Sequence, residues 1–213
     1  MPARTGYPGA GEFVPASRSL PTLSKAAAQC RGCDLYEDAT QTVFGAGAAR
    51  ARLILVGEQP GDVEDVEGKP FVGPAGRMLD RAIAEAGLGE VPTFVTNAVK
   101  HFHYRRHGKR RIHETPRAGH IAACRPWLGA EFAAVRPELI VCLGSVAAKA
   151  VIGNDVRVLR DRGTILERDG TVGPGPFVVT VHPSSILRTP SEDRDAAYSA
   201  FVADLKVVAA MVA

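Results

Sequence analysis

RLILVG, residues 52–57, runs directly into EQPGDVEDVEGKPFVGPAG, residues 58–76. An apolar run this short, stopped by glycine, is the pattern of a strand buried on both faces. Polar residues crowd the exit of that strand. Gly76 to Ala86 then places Leu79, Ile83 and Ala86 at helical spacing, and Gly87 stops the helix. Strand, loop and helix in this order build a parallel sheet covered by helices. Working outward, Thr93–Thr96 reads as a second strand with Asn97 at its C-terminal end. Leu139–Leu143 (LIVCL) reads as a third, and Gly144-Ser145 opens a short helix through Ile152. Ile165–Arg168 and Phe177–Val181 read as later strands around a Gly-Pro turn. Helices are expected over Thr22–Ala28, Arg117–Val135 and Ser191–Ala213. The second carries Ile121, Cys124, Leu128 and Phe132 on one face, and Pro126 should kink or break it. The expected fold is one α/β domain, residues 21–213, with a central, mostly parallel four-stranded sheet flanked by helices. A loose arm rich in Pro, Gly and Ala is expected over residues 1–20. No internal repeat and no second domain is visible.

At 213 residues and 46% hydrophobic, the chain can bury one continuous core, which excludes global disorder. The net charge of +3 is small, so the chain is no polycation. Its positive charge is local. In KHFHYRRHGKRRIHETPR, residues 100–117, seven of eighteen residues are Lys or Arg, four of the six histidines lie there, and Glu114 is the one acid. Such a segment is suited to phosphate. Read alone, it is either a solvated basic loop that touches nucleic acid or one that delivers His113 to a reaction. No apolar run reaches the length of a bilayer span, and the N-terminus lacks the apolar segment of a secretory signal. The expectation is a cytoplasmic protein with reduced thiols. Its four cysteines are Cys30 and Cys33, spaced C-x2-C, with Cys124 and Cys142 far downstream. They suit a tetrahedral zinc or a [4Fe–4S] cluster, and the spacing does not choose between them. A surface pair plus two buried structural cysteines is the third option.

Ligands of such sheets bind beyond the C-terminal ends of the strands. Glu58, Asn97 and the His182-Pro183 turn all come out at that edge, so three distant polar segments should share one cleft.

Four blocks in order, GEQPGDVED, PFVGPAG, TNAVK and HPSSILR, resemble the uracil-DNA glycosylase superfamily, and the cysteine frame resembles its iron–sulfur, family-4 branch. GEQPG combined with KRRIH resembles the UdgX type, described as binding uracil-DNA so tightly that it becomes covalently joined. The resemblance runs from Cys30 to the chain end. It implies that Cys30, Cys33, Cys124 and Cys142 ligate a structural [4Fe–4S] cluster. Phe71 would stack on the base, and Asn97 would bond uracil O4 and N3–H. His182 would face O2 and stabilise the departing anion. Gly57 and Asp62 would complete the base pocket. Ser184, Ser185 and Arg188 would meet DNA phosphate, as would Lys100, Lys109, Arg110 and Arg111.

Two departures bear on mechanism. Gln59 stands where glycosylases that turn over often place an Asp or another water-positioning arrangement, and an amide is no general base. The basic loop is also longer than in ordinary family-4 members. The resemblance thus implies a uracil-DNA-specific protein that excises once and is then joined to the sugar through His113, with Glu58 orienting the imidazole or accepting its proton. The alternative is a multiple-turnover family-4 glycosylase whose loop only grips DNA. A non-catalytic, metal-stabilised DNA-binding module is a third expectation, without any preference for uracil. The expected partner is uracil-containing DNA, single strands preferred, met by a monomer.

Overall fold

The computed structural model describes residues 6–212. In chain order its elements are α1 (Leu20–Ala27), β1 (Ala46–Gly47), β2 (Leu53–Gly57), α2 (Asp62–Glu67), α3 (Pro74–Glu85), β3 (Thr93–Asn97), β4 (Tyr104–His107) and β5 (Arg110–His113). There follow α4 (Ala118–Val135), β6 (Leu139–Leu143), α5 (Ser145–Val151), α6 (Val158–Asp161), β7 (Ile165–Leu166), β8 (Asp169–Gly170), β9 (Gly173–Pro174), β10 (Phe177–Thr180), α7 (Pro183–Leu187) and α8 (Ser191–Val212). Ala213, the last residue of the expected C-terminal helix, lies outside the described residues.

The main sheet has the order β1-β3-β2-β6-β10-β7. The central four strands are parallel, as the apolar runs predict. The sheet is nonetheless six-stranded and mixed, because β1 and β7 each add two antiparallel residues at an edge. Two-residue edges carry too little sequence to show a period.

Side chains alternate across each strand and build a core on both faces. Leu53 and Leu55 pack with Leu79 of α3 and with Phe201, Leu205 and Val208 of α8. Ile54 and Val56 face Leu128 and Phe132 of α4 and Ala147, Ala148 and Val151 of α5. Pro126 does not break α4, which runs on for 18 residues with Cys124, Trp127, Leu128 and Glu131 buried around the proline. Packing on this scale outweighs one missing helical bond.

The stretch before α1 also departs from expectation. Residues 1–5 lie outside the described residues. Beyond them the chain is docked: Ala10 is fully buried, its N–H donates to Ala123 O, and the Gly9 N–H donates to Gly32 O.

The basic segment is a β-hairpin, not an irregular loop. Tyr104 pairs with His113 and His107 with Arg110. Gly108, at φ 60°, takes the first turn position, where a two-residue hairpin loop of type II′ needs positive φ. Among the described residues no helix is long and apolar enough to cross a membrane.

Candidate active site

The chain reverses direction across the sheet at β2, which has β3 on one side and β6 on the other. A crevice at the C-terminal strand ends follows from that order. A cavity of 250 Å³ lies there, lined among others by Gln59, Glu64, Phe71, Asn97, His113 and His182. The three segments expected to converge therefore do so. Gly57 ends β2 beneath the cavity, and a Cβ on it would come within 2.7 Å of Phe71 Cζ and overlap the Asn97 amide. Only glycine lets the aromatic ring and the amide approach each other here. Phe71 itself sits at φ 58°, a conformation that is costly for a side chain of this size. Its ring lies 6.2 Å from the His182 ring, the planes 27° apart.

His182 caps α7, and its Nδ1 accepts the Ser184 N–H at 3.1 Å. With Nδ1 an acceptor, the neutral ring carries its proton on Nε2 and offers a donor to the cavity. Burial holds this imidazole down to about 4, helped by the positive charge of Arg188 and by His113. The ring is therefore neutral at physiological pH. Sequence reading missed Glu64. Its carboxylate accepts the Gly61 N–H at 3.1 Å and the Gly73 N–H at 2.9 Å, tying together the loops on either side of the cavity. The signal was available, since a Glu three residues after Gly61 is a capping-box spacing.

His113 ends β5 at the cavity mouth and also lines an adjoining cavity of 410 Å³. Its Nε2 stands 3.7 Å from Glu58 Oε1. Burial depresses the His113 imidazole, and Arg188 and His103 add to the effect, which favours the neutral ring. Burial pushes the Glu58 carboxyl up to about 7, against a smaller opposing pull from Arg188. Oε1 is buried and has no hydrogen-bond partner among the described residues. A carboxyl left without a hydrogen-bond partner beside a neutral imidazole is a poised proton acceptor.

The Gln59 amide is bonded to the hairpin root. Its Nε2 donates to His103 O at 3.0 Å and to Glu114 O at 3.1 Å, and its Oε1 accepts the His103 N–H at 3.1 Å. The amide clamps both strands of the hairpin to the exit of β2 and so fixes the root from which His113 projects.

A model of the uracil DNA glycosylase superfamily matches residues 44–206. The chain belongs to this superfamily. Within it the chain belongs to the type-4 family. It is 31% identical over 176 residues to the type-4 uracil-DNA glycosylase of Archaeoglobus fulgidus, covering 81% of this chain and 85% of that protein. It is 33% identical over 172 residues to that of Thermotoga maritima, covering 80% of this chain and 84% of the relative. It is 31% identical over 176 residues to that of Pyrobaculum aerophilum, covering 81% and 86%.

Against this family frame, several expected site residues are elsewhere. Asp62 lies outside the cavity, exposed at the start of α2, where it accepts from Arg111 at 2.5 Å. Arg111 also bonds the buried Asp65 at 2.5 Å, so it latches the hairpin to α2 instead of facing phosphate. Lys100 is fully buried and cannot reach DNA. Its Nζ donates to Glu131 Oε2 at 2.7 Å, Thr96 Oγ1 at 2.6 Å and Asn97 O at 2.8 Å. Lys109 and Arg110 are exposed at the hairpin tip, and Arg188 is exposed beside the cavity. Ser184 lines the cavity. The Ser185 hydroxyl donates to His182 O at 2.7 Å, so it serves the turn.

The cysteines divide three and one. Cys30, Cys33 and Cys124 share one apolar nest with Leu23, Leu35, Val99 and Trp127. Burial pushes Cys33 up to about 11 and Cys124 up to about 12, and the neighbouring cysteines add to both. Cys142 lies in β6, in the core beneath α4 and α5, and burial alone raises it. Of the four expected thiolates, Cys142 thus packs in a different core cluster from the other three, because its place in β6 puts it in the sheet core. Among the described residues, no three His, Cys, Asp or Glu side chains are grouped to hold a single metal ion.

Proposed function

We propose that this chain excises uracil from DNA and is then joined to the deoxyribose through His113. The carrying observation is that His113 lines the same cavity as Phe71, Asn97 and His182. Flipping a base out of the stack costs a few kcal/mol, less in single strands. Stacking on Phe71 offsets about 1–3 kcal/mol of this without selecting among bases. Selection falls to Asn97, whose amide can donate to O4 and accept from N3–H. Cytosine reverses both groups and would leave buried polar atoms unpaired.

As the bond from C1′ to N1 breaks, its electron pair leaves with the uracil, and the His182 Nε2–H stabilises the developing anion at O2. The sugar is left as an oxocarbenium ion. One ring nitrogen of His113 forms the new bond to C1′ with its lone pair, and the proton on the other nitrogen passes to Glu58. Water is present at about 55 M, whereas a held group reaches effective molarities of about 10⁵–10⁸ M, so a fixed imidazole wins. Exposed Lys109 and Arg110 serve flanking phosphates. Cys30, Cys33 and Cys124 hold a structural iron–sulfur cluster, and the protein works as a monomer in a reducing, cytoplasmic setting.

The test mixes the protein with a uracil-containing single strand and runs a denaturing gel. A heat-stable shifted band is expected, and His113→Ser should abolish it. A band that persists in this variant would assign the nucleophile to another residue. A second reading, multiple-turnover hydrolysis, is consistent with the similarity to type-4 uracil-DNA glycosylases. It is distinguished by continued uracil release when substrate exceeds enzyme.

A further inference from the structure

We propose that the fourth ligand of the cluster held by Cys30, Cys33 and Cys124 is Nδ1 of His101, and that Cys142 is a core residue. The inference rests on the iron–sulfur reading above and is independent of the glycosylase chemistry.

A [4Fe–4S] core takes four protein ligands, and three sulfurs leave it one short. Cys142 does not supply the fourth. It is fully buried in β6, in register with Val56 on one side and Val179 on the other, and it packs among Leu128, Ala147 and Ala148. A cluster bonded there would have to displace the sheet core.

Three other donors neighbour the three-cysteine nest. Asp34 is half exposed and already accepts from the Tyr7 hydroxyl at 3.0 Å, with His120 Nε2 at 2.9 Å. Both nitrogens of His120 are engaged, Nδ1 by the Arg117 N–H at 3.2 Å and Nε2 by Tyr7 and Asp34. His101 remains. It is buried, and it follows Lys100, whose backbone N–H donates to Cys124 Sγ at 3.3 Å.

The ring has a defined tautomer. His101 Nε2 lies 2.8 Å from Thr42 Oγ1. The single Thr42 hydroxyl proton is committed to Ala27 O at 3.0 Å, the carbonyl that also accepts the Cys30 N–H at 3.0 Å. Thr42 can therefore only accept from the ring, so Nε2 carries the proton and Nδ1 the lone pair. Nδ1 makes no hydrogen bond among the described residues. Metal-binding imidazoles are held this way, with the other nitrogen donating to an oxygen that fixes tautomer and orientation. The same hydroxyl ties the ring to the turn from which Cys30 projects.

The experiment purifies the full chain anaerobically, measures iron and sulfide, and records pulsed electron-nuclear double resonance of the cluster in a paramagnetic state. About four irons per chain are expected in the wild type and in Cys142→Ala alike. Nitrogen hyperfine coupling is expected in the wild type. His101→Cys should keep its iron, lose that coupling and become harder to reduce, since thiolate replaces a neutral ligand. Loss of iron from Cys142→Ala that still folds by circular dichroism would overturn the assignment. So would an iron-loaded wild type without nitrogen coupling, which would leave the cluster reading standing. Wild-type protein without iron would overturn both.

Discussion

Glu58→Gln separates the stability of this fold from its chemistry. In the unfolded chain the carboxyl titrates at its ordinary 4.5, and in the fold burial moves it up to about 7. The folded state therefore binds the proton more tightly. Below pH 4.5 both states are protonated and Glu58 costs nothing. Between pH 4.5 and about 7 the unfolded state ionises first, so stability falls as pH rises. Above about 7 the penalty is complete, about 3 kcal/mol from the two values. The side chain is 22% exposed, which trims this to about 2–3 kcal/mol. Glutamine removes the ionisation. At pH 8 the variant should melt about 4–12 °C above the wild type, and at pH 4 the two should coincide. Over the same range the wild-type crosslinking rate should rise with pH, with a midpoint near 7, as Glu58 becomes able to take the His113 proton. The glutamine variant should lack that rise. Thermal unfolding in a pH series, beside crosslink yields from quenched mixtures, measures both. Equal melting temperatures of the two proteins at pH 8 would refute the buried-carboxyl reasoning.

Three further outcomes are expected. Gln59→Ala removes three hydrogen bonds between the β2 exit and the hairpin root; crosslinking should slow about 10- to 100-fold, while single-turnover uracil release changes much less. Lys109→Ala with Arg110→Ala should flatten the slope of log affinity against log salt on single-stranded DNA by about 1.4, whereas Lys100→Met should leave that slope unchanged. Lys100→Met should instead destabilise the fold by about 3–5 kcal/mol, because Glu131 is left charged and unpaired in the core; adding Glu131→Gln should restore much of it in urea titrations.

The central strands were legible because RLILVG, LIVCL and FVVT are apolar runs closed by turn residues, and their C-terminal ends correctly located the cavity. The hairpin was not. Its strands, YRRH and RRIH, show no apolar alternation because it stands off the main sheet with most of its side chains exposed. The one available cue was Gly108 in a turn with three polar residues, His107, Lys109 and Arg110. Lys100 read as part of a basic run because its partner, Glu131, comes from a helix 31 residues away, and local sequence does not show that partner. Cys142 was legible in principle. A cysteine at the fourth position of a five-residue strand that is buried throughout has the pattern of packing, and the pull of a four-cysteine frame hid it.

Lys100 faces two ways. Its backbone touches the sulfur of Cys124, and its ammonium holds the carbonyl of Asn97, the residue assigned to base selection. Two centres that share one residue cannot be tuned separately. An engineer seeking a variant that reads a different pyrimidine would need to redesign Thr96, Asn97, Lys100 and Glu131 as a set. Oxidative damage on the cysteine side should register first as errors in which base is accepted.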